Sequence, residues 1–245
     1  MLLNTLVATF LSTLTAVLFA STASASLIFY SDRTVFDTEN PGLAMEDFES
    51  LEVDPFAVPS CGTAGISSST VSCFGGASSV IPGFSFDAQG DGAMDTVAMG
   101  AGFNANPSIA ISTNTFIDIA VLSFNEGAEA VGFDLMTTFL DDPDVVISIF
   151  DMSDALLGTT TAPGSSIGTF FGVSSTMGLI SRISLESLTE QAEGIDNLAF
   201  GGGSTTGTGG GASAVPLPAS IALLALGLVA LRLGRERPKS ALRNQ

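Results

Sequence analysis

The chain has 245 residues, of which 46% are hydrophobic, and carries 25 acidic side chains against 7 basic ones, with no histidine. Without histidine there can be no Ser-His-Asp or Cys-His nucleophile pair and no imidazole-ligated metal. Between residues 26 and 200 only Arg33 and Arg182 oppose 24 acids, a net charge of −22. Nucleic acid is thereby excluded as a partner, because phosphate neutralisation needs clustered Lys and Arg. Cations or a basic partner are favoured, and the same charge serves solubility in a salty setting.

In chain order, residues 1–25 read as a secretory signal peptide. Leu2 to Ala20 is mostly apolar, and Ala23-Ser24-Ala25 supplies a small-x-small cleavage site before Ser26. The n-region lacks Lys and Arg, which keeps an uncleaved N-terminal anchor as the alternative. Residues 26–200 suit one domain with a sizeable core. A short helix is expected over Asp32–Thr38, capped by Ser31 or Asp32 and with Phe36 facing inward.

Period-two segments dominate the rest of the domain. Ala130–Leu135 places Val131, Phe133 and Leu135 on one face, and Leu179, Ser181, Ile183 and Leu185 share a face of another segment. Further strands are expected at Leu27–Tyr30, Ala44–Phe48, Ser79–Phe86, Phe116–Phe124, Val145–Phe150, Ala155–Thr160, Gly168–Val173 and Ile195–Phe200. Turn signals such as Asn125-Glu126-Gly127 and Asp141-Asp142-Pro143-Asp144 separate them. About ten short strands at this spacing predict an all-β fold: a single antiparallel β-sandwich whose termini lie on neighbouring strands. Cys61 and Cys73, the only cysteines of an exported chain, are expected to pair, closing a Gly/Ser/Thr-rich loop worth about 3 kcal/mol in the chain-entropy model.

Residues 201–214 are a Gly/Ser/Thr spacer, about 20 Å from end to end as a random chain. It lacks the Lys of a phosphate-binding loop. Residues 215–245 combine Val215-Pro216-Leu217-Pro218-Ala219, an apolar run from Ile221 to Leu231, and the basic residues Arg232, Arg235, Arg237, Lys239 and Arg243. The positive charge holds the C-terminus on the cytoplasmic side. Counted from Pro218 to Leu233, the apolar stretch falls short of the ~20 residues of a permanent span. Pro motif, apolar segment and basic tail together resemble the VPLPA variant of the PEP-CTERM sorting signal. That resemblance implies an inner-membrane-anchored precursor processed by an exosortase, and a mature form at the surface of a cell that makes exopolysaccharide.

A second resemblance rests on Glu46-Asp47-Phe48-Glu49 and Gly194-Ile195-Asp196-Asn197-Leu198. These look like the opening and closing strands of galactose-binding-like jelly rolls, many of which hold structural calcium where the strands meet. The resemblance implies Glu49 and Asp196 as calcium ligands, with two exposed edge acids as the alternative. The segment from Asp87 through Asp91 to Asp95 has the outline of a calcium loop, but Ala98 stands where an EF-hand has its bidentate Glu, so a polar inter-strand loop is the stronger reading.

No catalytic residue is expected. Paired carboxylates could support glycoside hydrolysis, yet 24 acids produce such pairs by chance. There is no Trp and a single Tyr, Tyr30, to stack a sugar ring. Glycan recognition would then use calcium or the amides of Asn104, Asn106, Asn114 and Asn125. Three readings stand in order: a structural or adhesive surface protein near exopolysaccharide, a calcium-assisted glycan-binding module, and a carboxylate glycosidase.

Overall fold

A computed structural model describes residues 26–69, 79–90, 92–137, 144–189 and 191–202. Its strands are β1 (Leu27–Tyr30), β2 (Ala44–Glu46), β3 (Ser60–Gly62), β4 (Ile66–Ser67), β5 (Phe84–Gly90), β6 (Thr96–Met99) and β7 (Ala110–Thr113). After these come β8 (Asp118–Ala128), β9 (Ala130–Thr137), β10 (Asp144–Asp151), β11 (Leu156–Pro163), β12 (Thr169–Ser175), β13 (Ile180–Ser187) and β14 (Glu193–Gly201). One helix, α1 (Arg33–Glu39), is capped by Asp32, whose carboxylate accepts the Val35 N–H at 3.0 Å, and it buries Phe36.

The strands form two antiparallel sheets. The eight-stranded sheet runs β1-β12-β9-β14-β7-β6-β3, with β2 also on β14; the six-stranded sheet runs β11-β10-β13-β8-β5-β4. Alternation explains the core between them. Val131, Phe133 and Leu135 from β9 meet Leu122, Ile147, Ile149, Ile183 and Leu185 from the other sheet, all fully buried. The expected β-sandwich is therefore the fold.

Several local expectations are corrected. β1 is not beside β14, because β12 and β9 lie between them; it is β2 that meets the last strand. Asn125-Glu126-Gly127 lies inside β8 rather than between strands. The pairing of β13 with β8 shifts between Ile180 and Arg182, so Ile180 takes the buried position and Ser181 bonds the Asp151 carbonyl instead. A bulge resets the phase in this way because its extra residue has no partner opposite. β5 begins later than expected and runs on through Asp87 to Gly90, paired along its length with β8.

Strands β3, β4, β6 and β7 were not legible as strands. Every residue of β6 and β7 is buried, so their sequences lack the alternation of a one-sided strand. Among the described residues no helix is long and apolar enough to cross a membrane. The signal peptide, the spacer beyond Gly202 and the Val215–Ala219 sorting motif lie outside the described residues. So does Cys73, while Cys61 sits in β3. The Cys61–Cys73 pair stays a proposal: alkylation of the exported protein without reduction should label neither cysteine, and labelling of both would refute it.

Candidate functional site

The outward face of the eight-stranded sheet carries a groove at β6 and β7. Ala98 and Ile111 point into the core. On the opposite face Val97, Met99, Ala110 and Met136 form a second apolar cluster, packed by Val58 and Phe103. Two loop segments build the walls. The first is stitched on by Phe56 N–H to the Ala101 carbonyl at 3.1 Å, Gly100 N–H to Ala57 at 2.8 Å and Ala98 N–H to Pro59 at 3.2 Å. The second is the tight turn at Phe103–Ala105. It turns through Gly102 at φ 88°, where a Cβ would sit 2.6 Å from the Phe56 ring, so glycine is required both by conformation and by space. Asn104 and Ala105 follow at φ 51° and 66°. Left-handed backbone on non-glycine residues is costly and persists where the surroundings fix it. Asn106 does the fixing: buried, it donates its amide to the carbonyls of Met99, Gly100 and Ser108.

The result is a cavity of about 310 Å³ lined by Val58, Met99, Phe103, Asn104, Asn114 and Phe116, among others. The volume lies at the low end of the ~300–1,000 Å³ of small-molecule sites. Phe116, which lines the cavity, is 44% exposed. The Asn104 amide donates to the Thr137 carbonyl at 3.2 Å, and the Asn114 amide to Asp95 at 2.7 Å. Each therefore leaves its side-chain carbonyl oxygen as an acceptor for a ligand. Among the described residues that line it, none is an acid. Of the four amides weighed from the sequence, Asn104 and Asn114 line the groove, Asn106 is structural, and Asn125 lies on β8 away from it. No signal in the sequence separates Phe103 and Phe116 from the buried phenylalanines.

The acids singled out for calcium are used differently. β14 pairs with β7 at Gly194 and Ile195 and with β2 from Leu198 onward, and its register against β9 shifts between Asp196 and Ala199. Glu49 and Asp196 meet at this seam. Glu49 accepts the Ile109 N–H at 2.8 Å; Asp196 accepts the Ser108 hydroxyl and the Asn197 N–H. Burial pushes the Asp196 carboxyl up to about 6, against the hydrogen bonds from Ser108 and Asn197, with the charges of Asp134 and Glu49 adding to the rise. The two acids are thus brought together as the second resemblance implied, but as ties for the backbone where β14 changes partner. Calcium wants six to eight oxygens. Among the described residues no three acidic, His or Cys side chains converge to hold a metal, and the pair as it stands does not fit that ion.

Asp87 and Asp95 do not form a loop site either. Asp87 lies within β5 and accepts the Ser85 hydroxyl, whereas Asp95 accepts from Ser60 and Asn114 beside the groove. Asp91 lies outside the described residues.

No protein-family model matches the chain, and neither does any curated protein. Parts of solved structures resemble it. A family 29 carbohydrate-binding module from Piromyces equi shares 10% identity, over 50% of this chain and 83% of that one, at a TM-score of 0.33. Tailspike protein 4 of bacteriophage CBA120 shares 14%, over 49% and 19%, at 0.32. The CBM22-1–GH10 modules of a Clostridium thermocellum xylanase share 8%, over 65% and 28%, at 0.29. Likenesses of this degree carry nothing about ligand or activity.

Proposed function

We propose that this is a non-catalytic, exported surface protein, processed at its C-terminal signal by an exosortase and associated with exopolysaccharide in a structural or adhesive role. In this reading the groove on the outer sheet face is the point of contact with glycan. The observation that carries the glycan contact is the pairing of the exposed Phe116 ring with the acceptor oxygens of Asn104 and Asn114 in one concavity. A pyranose has apolar C–H faces that rest on an aromatic ring and hydroxyls that donate to amide oxygens. Phenylalanine lacks the polar tip of Tyr or Trp, so weak binding multiplied along a polymer suits it better than tight capture of one sugar. With no acid among the described lining residues, binding is favoured over hydrolysis, which needs two carboxylates flanking the bond.

The test is affinity electrophoresis of the secreted protein through gels holding single purified polysaccharides. Retardation by at least one of them, lost in Phe116→Ala and reduced in Asn114→Ala, is expected. Mobility unchanged by every polysaccharide, or retardation indifferent to Phe116, would overturn the groove; polysaccharide cleavage without Phe116 dependence would favour a hydrolase. Melting in calcium against sodium at equal ionic strength separates any specific calcium site at Glu49 and Asp196 from simple screening.

A further inference from the structure

Behind the groove, the core ends in a polar layer. Across the inner face of the eight-stranded sheet, Thr137 of β9 pairs with Glu193 of β14 and Thr113 of β7 pairs with Thr96 of β6, while Gly194 and Ser112, the next pair along, lie on the outer face. Thr137, Glu193, Thr113 and Thr96 are all buried, Glu193 to 1% exposure. From the other sheet comes Asp118 at the start of β8, also buried. Asp118 accepts the Gly92 N–H at 2.8 Å, the Met94 N–H at 2.9 Å and the Thr115 hydroxyl.

Glu193 is built differently. Its Oε1 accepts the Ser187 N–H at 2.5 Å, while its Oε2 is buried with no partner. Buried and unpartnered with it are the hydroxyls of Thr137 and Thr96, Asp95 Oδ1 and Gln191 Oε1. The charged groups that face Glu193 are Asp118 from β8 and Glu186 from β13, both negative. β6, β7 and β9 contribute hydroxyls, and Asp95 precedes β6. Both arginines of the domain are engaged elsewhere, Arg33 with Asp134 and Arg182 with Asp154. A charged carboxylate here would have no counter-charge and, among the described residues, no donor at Oε2; a protonated carboxyl supplies the missing donor itself.

Resting on the reading of the groove as a glycan site, we propose that Glu193 is a neutral, protonated acid in the folded protein and that its ionisation loosens the groove wall built on Ala192 and Ser112. The connection is direct. Ala192 and Ser112 line the cavity, and the Ser112 hydroxyl donates to the backbone carbonyl of Glu193 at 3.0 Å. A charge on Glu193 drives its side chain toward water, which strains that bond and the Ser187 tie together. Burial pushes the Glu193 carboxyl from 4.5 up to about 8, the Ser187 hydrogen bond opposing and the charges of Glu186 and Asp118 adding. Because the folded value is the higher one, this group's contribution to stability is complete below about 4.5 and is lost as pH rises through about 8.

The decisive experiment compares the secreted protein with Glu193→Gln, which keeps the shape and the donor but cannot ionise. Infrared difference spectra should show a protonated-carboxyl carbonyl band at neutral pH in the parent that is absent from the variant. Amide hydrogen exchange, compared between the two proteins at the same pH, should match in mild acid. At about pH 9, one unit past the midpoint, the ionised form is in about tenfold excess, and exchange at Ser112–Asn114 and Ala192 should be several-fold faster in the parent. Polysaccharide retardation should fall over the same range in the parent only. A missing carbonyl band, matched exchange at alkaline pH, or a band that calcium removes and a chelator restores would each overturn the proposal. Normal band and exchange behaviour without any polysaccharide binding would instead overturn the glycan reading and leave the latch standing.

Discussion

Phe84→Ala should unfold this protein more readily than any single surface change, by about 4 kcal/mol, within the ~3–5 kcal/mol of large buried aromatic truncations. Phe84 is buried on β5, with its ring 5.5 Å from Phe200 and 6.2 Å from Phe48, both in edge-to-face arrangements. Phe200 in turn lies 5.4 Å from Phe124. Those rings come from β14 and the segment after β2 on one side and from β5 and β8 on the other, so the cluster ties the two sheets beside the seam where β14 changes partner. Truncation removes two aromatic contacts, each worth about 0.5–1.5 kcal/mol beyond burial, and leaves a cavity the flanking strands cannot close. For a domain of this size, about 2–4 °C of melting temperature per kcal/mol puts the loss on the order of ten degrees. Phe84→Leu should cost far less. A fall of less than about two degrees for the alanine variant would show that this cluster does not join the sheets.

The other large effect concerns the C-terminus. Replacing Pro216 and Pro218 by alanine should leave unprocessed precursor in the membrane fraction. In the proposed processing the prolines matter because each removes a backbone donor and restricts the residue before it, disfavouring helix where a membrane-embedded protease would have to act. Alanine, the strongest helix former, removes that constraint next to an apolar segment already suited to helix. Deleting Arg232–Gln245 should instead impair retention before cleavage, because the positive charges hold the tail inside. Intact-mass measurement of the extracellular protein decides: a chain still ending at Gln245 would make the segment an ordinary anchor.

The sequence alone determined the sandwich, because alternation such as Val131, Phe133 and Leu135 buries one face only if the chain is extended. It also located the helix with its inward Phe36 and offered Ser31 or Asp32 as the cap, of which the structure uses Asp32. The opening and closing segments were legible as neighbours, and β2 does pair with β14. Only the tertiary structure decided the site. β6 and β7 are buried on both faces, so the alternation that marks a strand is erased where the groove forms. Phe103, Phe116 and Phe56 carry the same hydrophobic signature as Phe84 and Phe133, and exposure separates them only once the loops are in place. The acids show the same division. Composition revealed that 24 carboxylates must live together in the domain. Which of them become backbone ties, as Glu49, Asp118 and Asp196 do, and which, like Glu193, keep a buried oxygen with no partner among the described residues, depends on strand register and on the burial that two packed sheets impose.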